Sequence, residues 1–96
     1  MNSAPSGQHK LAQVLEQLAS AAEARGSDDV PRRLQECVAL CVPEHAAGVP
    51  KAVLADAAQR LQVWREVWPR LGKDAQFRGA MGREARRLAA DVARGR

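Results

Sequence analysis

The sequence predicts an all-α fold, a small bundle of about four amphipathic helices for which an up-and-down order is the simplest arrangement. Two observations support this prediction. The apolar residues are mostly Ala, Leu and Val, with one Phe and no Ile or Tyr, so helix formers outnumber the aromatic and β-branched residues that strands favour. These apolar residues also recur every three or four positions, which is the spacing of one helix face.

A chain of 96 residues makes one domain at most and can bury a core of modest size. Its apolar fraction of 46% is sufficient for a folded protein. Residues 1–7 combine small and polar residues with Pro and Gly, which predicts a flexible leader before a single helical-bundle domain at residues 8–96. Because small domains are only marginally stable, self-association as a homodimer would stabilise this one.

The first helix is predicted at residues 8–25. Gly26 follows it as a C-cap, because glycine accepts a left-handed backbone without a Cβ clash. Its apolar residues lie on one face at intervals of three and four. They are Leu11, Val14, Leu15, Leu18 and Ala22.

The second helix is predicted at residues 30–42. Asp28 and Asp29 precede it, where a carboxylate accepts hydrogen bonds from unpaired backbone amides and suits the helix dipole. Pro43 ends or sharply bends this helix, so the residues from there to position 50 form a connection. The apolar face comprises Val30, Leu34, Cys37, Val38 and Cys41.

The third helix is predicted at residues 50–71 and carries the strongest periodic pattern. Three heptads of apolar residues are typical of helix-on-helix packing. They are Leu54, Leu61 and Trp68 in one row and Ala57, Trp64 and Leu71 in the next, widened by Val53 and Val67. Pro69 predicts a kink, or an early end of the helix near Trp68.

The fourth helix follows Gly72, begins after a cap at Asp74 and extends to Ala93. Its apolar face comprises Phe77, Met81, Ala85, Leu88 and Val92. Gly79 and Gly82 weaken the first half of the helix, each by up to about 1 kcal/mol relative to Ala. We expect them to permit a close helix crossing; the alternative is a frayed segment before Arg83.

The formal net charge of +4 is unevenly distributed along the chain. Residues 1–59 carry 5 basic and 7 acidic residues, which gives −2, and residues 60–96 carry 10 and 4, which gives +6. Such a basic half suits nucleic acid, an acidic protein surface or anionic lipid, and the other interpretation is a solvated surface with a surplus of arginine. The start of the chain lacks a signal-peptide pattern, and the longest apolar run, residues 37–43, is too short for a membrane span. We therefore expect a cytoplasmic protein with reduced cysteines.

Cys37, Cys41 and His45 form the tightest group of chemically active side chains. Their Cys-x3-Cys-x3-His spacing places all three on one face of an unbroken helix. Two thiolates and an imidazole could hold zinc or copper(I) with a fourth ligand from elsewhere. Because Pro43 interrupts the helix, we favour the other interpretation, in which both cysteines are small apolar core residues.

Trp64 and Trp68 lie one turn apart on the apolar face of the third helix. Tryptophan is enriched at protein-binding sites, and it is also the largest core residue in a chain with so few aromatics. We favour the core for this pair. If the bundle is open along that edge, the two side chains would instead anchor a partner.

Arginines cluster on the side of the fourth helix opposite its apolar face. They are Arg83, Arg86, Arg87 and Arg94. Glu84 can pair with Arg87 one turn later, and Asp91 can pair with Arg94 in the same way. No aromatic or polar reader accompanies the row, so any contact with nucleic acid would go to phosphates alone.

The segment Ala46-Ala47-Gly48-Val49-Pro50-Lys51-Ala52-Val53-Leu54 resembles the turn and early recognition helix of bacterial helix-turn-helix repressors. The resemblance covers these nine residues and implies that Pro50, Lys51 and Asp56 face a DNA groove. It departs from the family just upstream, where Pro43 and Glu44 replace an apolar residue and a small Ala. An acidic Asp56 also suits DNA poorly.

Binding is the function that these patterns favour, because the sequence contains no phosphate loop, paired-carboxylate motif or zinc-protease helix. The preferred hypothesis is a non-enzymatic adaptor, chaperone or inhibitor of another protein. Its binding surface would be an apolar groove beside the tryptophans with an arginine rim, comprising Trp64, Trp68, Arg83, Arg86, Arg87 and Arg94. One alternative is a nucleic-acid-binding regulator that uses Lys51, Arg83 and Arg87. Another is a metal-binding protein centred on Cys37, Cys41 and His45.

Overall fold

The structure, a computed structural model, describes residues 7–24 and 28–95. These residues form four α-helices and no strand. The helices are α1 (Gly7–Glu23), α2 (Val30–Leu40), α3 (Lys51–Leu71) and α4 (Ala75–Arg94). The predicted all-α class and helix number are confirmed. Most of the predicted leader and the predicted cap at Gly26 lie outside the described residues, and Gly7 already belongs to α1.

The helices pack as a ring of neighbours, α1 to α2 to α3 to α4 and back to α1, with the most extensive contact between α1 and α4. Neighbouring helices are antiparallel. Gln8 at the start of α1 reaches Val92 at the end of α4, and Trp68 near the end of α3 packs against Phe77 near the start of α4. The contacts of α1 with α2 and of α2 with α3 show the same reversal. The chain is therefore an up-and-down bundle.

The predicted apolar faces form one core at the centre of the ring. Its fully buried large side chains include Leu11, Leu15, Leu18, Leu34, Leu61, Met81 and Leu88. Burying a side chain of this size contributes about 1.5–3 kcal/mol to stability relative to leaving it exposed. On α3 the burial is graded, because Leu54, Leu61 and Trp64 are buried whereas Trp68 is only half-buried. The end of α3 therefore lies at the edge of the core.

Helix ends differ from the prediction where they depend on local backbone geometry. α2 ends at Leu40, before the predicted position 42, because Pro43 disfavours a helical residue in front of it. Asp29 is the N-cap of α2, but its side chain makes no capping hydrogen bond. Its own backbone is helical (φ −81°, ψ −14°), and its carboxylate pairs with Arg32 at 3.4 Å instead.

The ends of α3 and α4 also test the prediction. α3 continues through Pro69 to Leu71, so the early end near Trp68 is wrong. A proline in the last turn removes one backbone donor without breaking the turns before it. The cap at Asp74 is confirmed, because its Oδ1 accepts a hydrogen bond from the Phe77 amide at 3.1 Å.

Gly82 lies where α4 approaches α1 closely. A Cβ atom at Gly82 would lie 2.6 Å from Cγ of Glu23, whereas one at Gly79 would find its nearest neighbour, Nη1 of Arg83, at 3.7 Å. The close approach predicted for the two glycines is thus confirmed at Gly82 but not at Gly79. α4 is helical across both positions.

Side chains of α1 and α4 bind the carbonyl groups at each other's C-terminal ends. Nε2 of Gln8 donates to the carbonyls of Val92 (2.9 Å) and Ala93 (3.0 Å). At the opposite end of the pair, the Arg78 guanidinium donates to two carbonyls near the end of α1, to that of the residue after α1 and to that of the residue after α3. These acceptors are Ala21 (3.2 Å), Ala22 (2.9 Å), Ala24 (3.0 Å) and Gly72 (3.1 Å). Since the last carbonyls of a helix have no partner within it, Arg78 supplies the missing donors for two helices.

The variant Arg78→Lys is expected to lower the free energy of unfolding by about 2–4 kcal/mol. Lysine keeps the charge but has neither the planar fork nor the number of donors that four carbonyls require. Urea denaturation followed by circular dichroism measures the change. Arg83→Lys, on an exposed position of the same helix, is the control and should stay within about 0.5 kcal/mol of the parent. Equal midpoints for the two variants would contradict the role given to Arg78.

Two glycine substitutions should change stability in opposite directions. Gly79→Ala has room for its methyl group and is expected to raise the free energy of unfolding by about 0.5–1 kcal/mol through helix propensity. Gly72→Ala would place Cβ 2.6 Å from Cε2 of the Trp68 ring, and is expected to cost about 1–3 kcal/mol. Thermal melts of both variants in one buffer test this difference in sign.

Candidate functional site

The two tryptophans occupy different environments. Trp64 is 7% exposed and belongs to the core, as expected. Trp68, one turn later, is half-buried and lies at the end of the bundle. Its ring packs against Phe77 with centroids 6.3 Å apart, and the guanidinium carbon of Arg78 lies 5.2 Å from its centroid. The Trp68 ring is therefore held from one side by α4 while its other parts line the surface.

Two cavities adjoin Trp68 between the start of α2 and the end of α3. The first, of about 340 Å³, is lined by Pro31, Leu34, Gln35, Arg65, Trp68 and Pro69. The second, of about 250 Å³, shares Pro31, Trp68 and Pro69 with the first. It adds Asp28, Gly72, Lys73 and Arg78. We call the two cavities together the Trp68 groove.

The apolar floor of the Trp68 groove has cations along its sides. Arg65 lines the first cavity, and Lys73 and Arg78 line the second. Among the residues that the structure describes, Asp28 in the second cavity is the one acidic residue that lines the groove. The groove therefore combines an aromatic ring and two prolines with a positive excess, although the arginines around it are not the predicted ones.

The four arginines predicted as a rim lie on other parts of α4, and none lines the Trp68 groove. Arg86 faces α1, where it pairs with Glu16 at 2.9 Å and Glu23 at 2.5 Å. The hydrogen bond from Arg86 lowers the pKa of the Glu23 carboxyl, and the charge of Arg86 acts in the same direction. The intrahelical pairs predicted for the other arginines are present, Glu84 with Arg87 at 3.8 Å and Asp91 with Arg94 at 2.5 Å.

Both cysteines are buried, free thiols of the core. Each lies 3.5 Å from a backbone carbonyl to which it donates, Cys37 to Val14 and Cys41 to Leu54. Burial raises the pKa of Cys37 to about 12 and that of Cys41 to about 11, so both thiols stay protonated at neutral pH. Because the thiolate is the nucleophile and the metal ligand, both environments disfavour such chemistry.

The predicted metal set is not assembled. α2 ends before Pro43, and His45 lies on an exposed turn beyond it. In the part of the chain that the structure describes, no three His, Cys, Asp or Glu side chains could hold a metal ion. The backbone stops being helical at Cys41, so His45 does not continue the helix face on which Cys37 lies.

The segment that resembles a helix-turn-helix adopts a different arrangement. Residues 41–50 separate α2 from α3, whereas that motif joins its helices by a turn of three or four residues. Gly48 does provide a turn with positive φ (95°), and Lys51 starts α3 with its side chain exposed. Asp56 is also exposed. α2 therefore lies farther from α3 along the chain than the first helix of that motif lies from its recognition helix.

Arg78 is the functional residue that the sequence reasoning missed. It precedes Met81, Gly82 and Ala85 by three, four and seven residues, so it lies on the apolar face of α4. A charged residue at such a position signals a buried or capping role, because an unpaired buried charge is costly. The sequence therefore contained the signal that Arg78 has a partner. It did not identify the partner, because the carbonyls that Arg78 binds lie at the end of α1, far away in the chain, and just after α3.

Comparisons of the chain with protein-family models, with curated proteins and with solved structures found no match. None of the helices within residues 7–24 and 28–95 combines the length and the apolar character needed to cross a lipid bilayer.

The free energy of unfolding is expected to fall between about pH 9 and pH 11. In this range the thiols of the unfolded chain ionise while the native thiols, with raised pKa values, remain protonated, so alkali favours unfolding. The expected slope is on the order of 1 kcal/mol per pH unit for each thiol. Urea denaturation at several pH values measures it. The double variant Cys37→Ala, Cys41→Ala should show a flatter profile, and an equally steep one would count against the thiols.

Proposed function

We propose that this protein is a non-enzymatic protein-binding module, an adaptor, chaperone or inhibitor, that contacts its partner through the Trp68 groove. The observation that carries the proposal is the contrast between the two tryptophans. Trp64 fills the core, whereas Trp68 is fixed by Phe77 and Arg78 at the surface, between two cavities. An aromatic side chain that is already immobilised loses little conformational entropy on binding, and tryptophan is enriched among the residues that contribute most to binding at protein interfaces.

The open shape of the groove favours a protein ligand over a small molecule. Its two cavities, of about 340 and 250 Å³, are open to solvent and share Pro31, Trp68 and Pro69 as lining residues. Pockets for small molecules are more enclosed, because they must bury most of the ligand's surface. A shallow groove of this kind instead receives a few side chains from a larger surface.

The proposal assigns no catalytic role to the chain. The two thiols, its strongest potential nucleophiles, are protonated and buried away from the groove. A cytoplasmic location belongs to the same proposal, because thiols that are not paired in a disulfide stay reduced there.

Affinity capture from the native host with a matched pair of variants tests this function. Trp68→Ser removes the proposed anchor, and Val63→Ser removes a similar apolar group that is 48% exposed elsewhere on α3. We expect Trp68→Ser to weaken the captured complex about 30-fold, as for a central interface residue, and Val63→Ser to retain it. Circular dichroism of both variants checks that the bundle is intact. A partner that both variants recover equally well would refute the proposal.

A further inference from the structure

We propose that the Trp68 groove binds a peptide segment in which an apolar side chain is flanked by acidic residues. This inference rests on the proposed function and specifies the chemistry of the partner. It depends on three features of the groove, namely its shared apolar floor, the position of its cations and the commitment of Arg78 to other groups.

The apolar floor lies in the middle of the groove. Pro31, Trp68 and Pro69 line both cavities, so an apolar side chain that enters either cavity meets a surface made of these rings. These rings come from the start of α2 and the end of α3. The surface that the two cavities share is therefore apolar and accepts an apolar anchor.

Each cavity also has an exposed cation in its lining. Arg65 lines the first cavity and Lys73 lines the second, and both are exposed. Neither has a carboxylate within 4 Å among the residues that the structure describes. An acidic residue on each side of an apolar anchor would therefore meet a cation that has no competing ion pair. Asp28 lines the second cavity and weakens the attraction there, so Arg65 is expected to contribute more than Lys73.

Arg78 contributes to the groove without offering its charge to a ligand. Its guanidinium donates to four backbone carbonyls and lies over the Trp68 ring. It therefore fixes the anchor site, and the recognition of acidic residues is left to Arg65 and Lys73. A second copy of the chain is a poorer occupant, because Val63 is the one large apolar side chain that the described residues expose.

Nuclear magnetic resonance titrations of the full chain test the inference. Three synthetic peptides share a central pair of leucines and differ only in their flanking residues, which are Glu, Gln or Lys. We expect the Glu-flanked peptide to shift the indole N–H signal of Trp68 and not that of Trp64. Its affinity should exceed that of the Lys-flanked peptide by about tenfold, with the Gln-flanked peptide between them.

Charge-reversal variants locate the effect. Arg65→Glu is expected to weaken the Glu-flanked peptide about three- to tenfold, and Lys73→Glu to weaken it less. Arg70→Glu makes the same charge change at an exposed position of α3 that lines neither cavity, and should leave the affinity within about twofold.

Three results would overturn the inference. Equal binding of the Glu- and Lys-flanked peptides at Trp68 would show that the groove binds segments without the proposed charge preference, and the proposed function would stand. Trp68 signals that shift with protein concentration alone would identify a second copy as the occupant. If no peptide shifts Trp68, the acidic-peptide inference fails, while the capture experiment with Trp68→Ser still decides the proposed function independently.

Discussion

The guanidinium of Arg78 connects the stability of the bundle to its surface. The last carbonyls of a helix must find donors outside it, and here one side chain of α4 serves both the end of α1 and the residue after α3. The same group lies over Trp68, whose ring also rests close to the backbone of Gly72. The Arg78 side chain that binds the carbonyls at the ends of α1 and α3 therefore also positions the Trp68 ring in the groove.

The antiparallel pair of α1 and α4 is the structural unit on which the other helices assemble. Gln8 and Arg78 bind carbonyls at the two ends of the pair. Between them, Arg86 of α4 forms ion pairs with Glu16 and Glu23 of α1. The helices approach closely at Gly82. α3 makes less contact with its neighbours, and its last turns leave Trp68 only half-buried. Trp68 thus remains accessible because α3 packs less extensively against its neighbouring helices than α1 and α4 pack against each other.

The sequence predicted what depends on local periodicity and could not predict what depends on partners distant in the chain. The faces that contain Leu11, Leu61 and Met81 repeat at helical intervals, and they are buried as expected. Asp74 was identified as a cap because the amide that it binds, that of Phe77, lies only three residues further along the chain. Arg86 was assigned to an exposed rim because its partner Glu23 lies 63 residues away, a pairing that no periodic pattern reveals. The helix-turn-helix resemblance likewise rests on nine local residues, whereas the distance between α2 and α3, ten residues of connection, depends on Pro43 upstream of them.

The contacts of Gln8 place the start of α1 beside the end of α4. α1 has 17 residues and is about 25 Å long, so this junction and the Trp68 groove occupy opposite poles of the molecule. The chain therefore enters the bundle at α1 and leaves it at the same pole, at the end of α4. Such a geometry suits insertion into a surface loop of a host domain, which would keep its own fold and carry the groove outward.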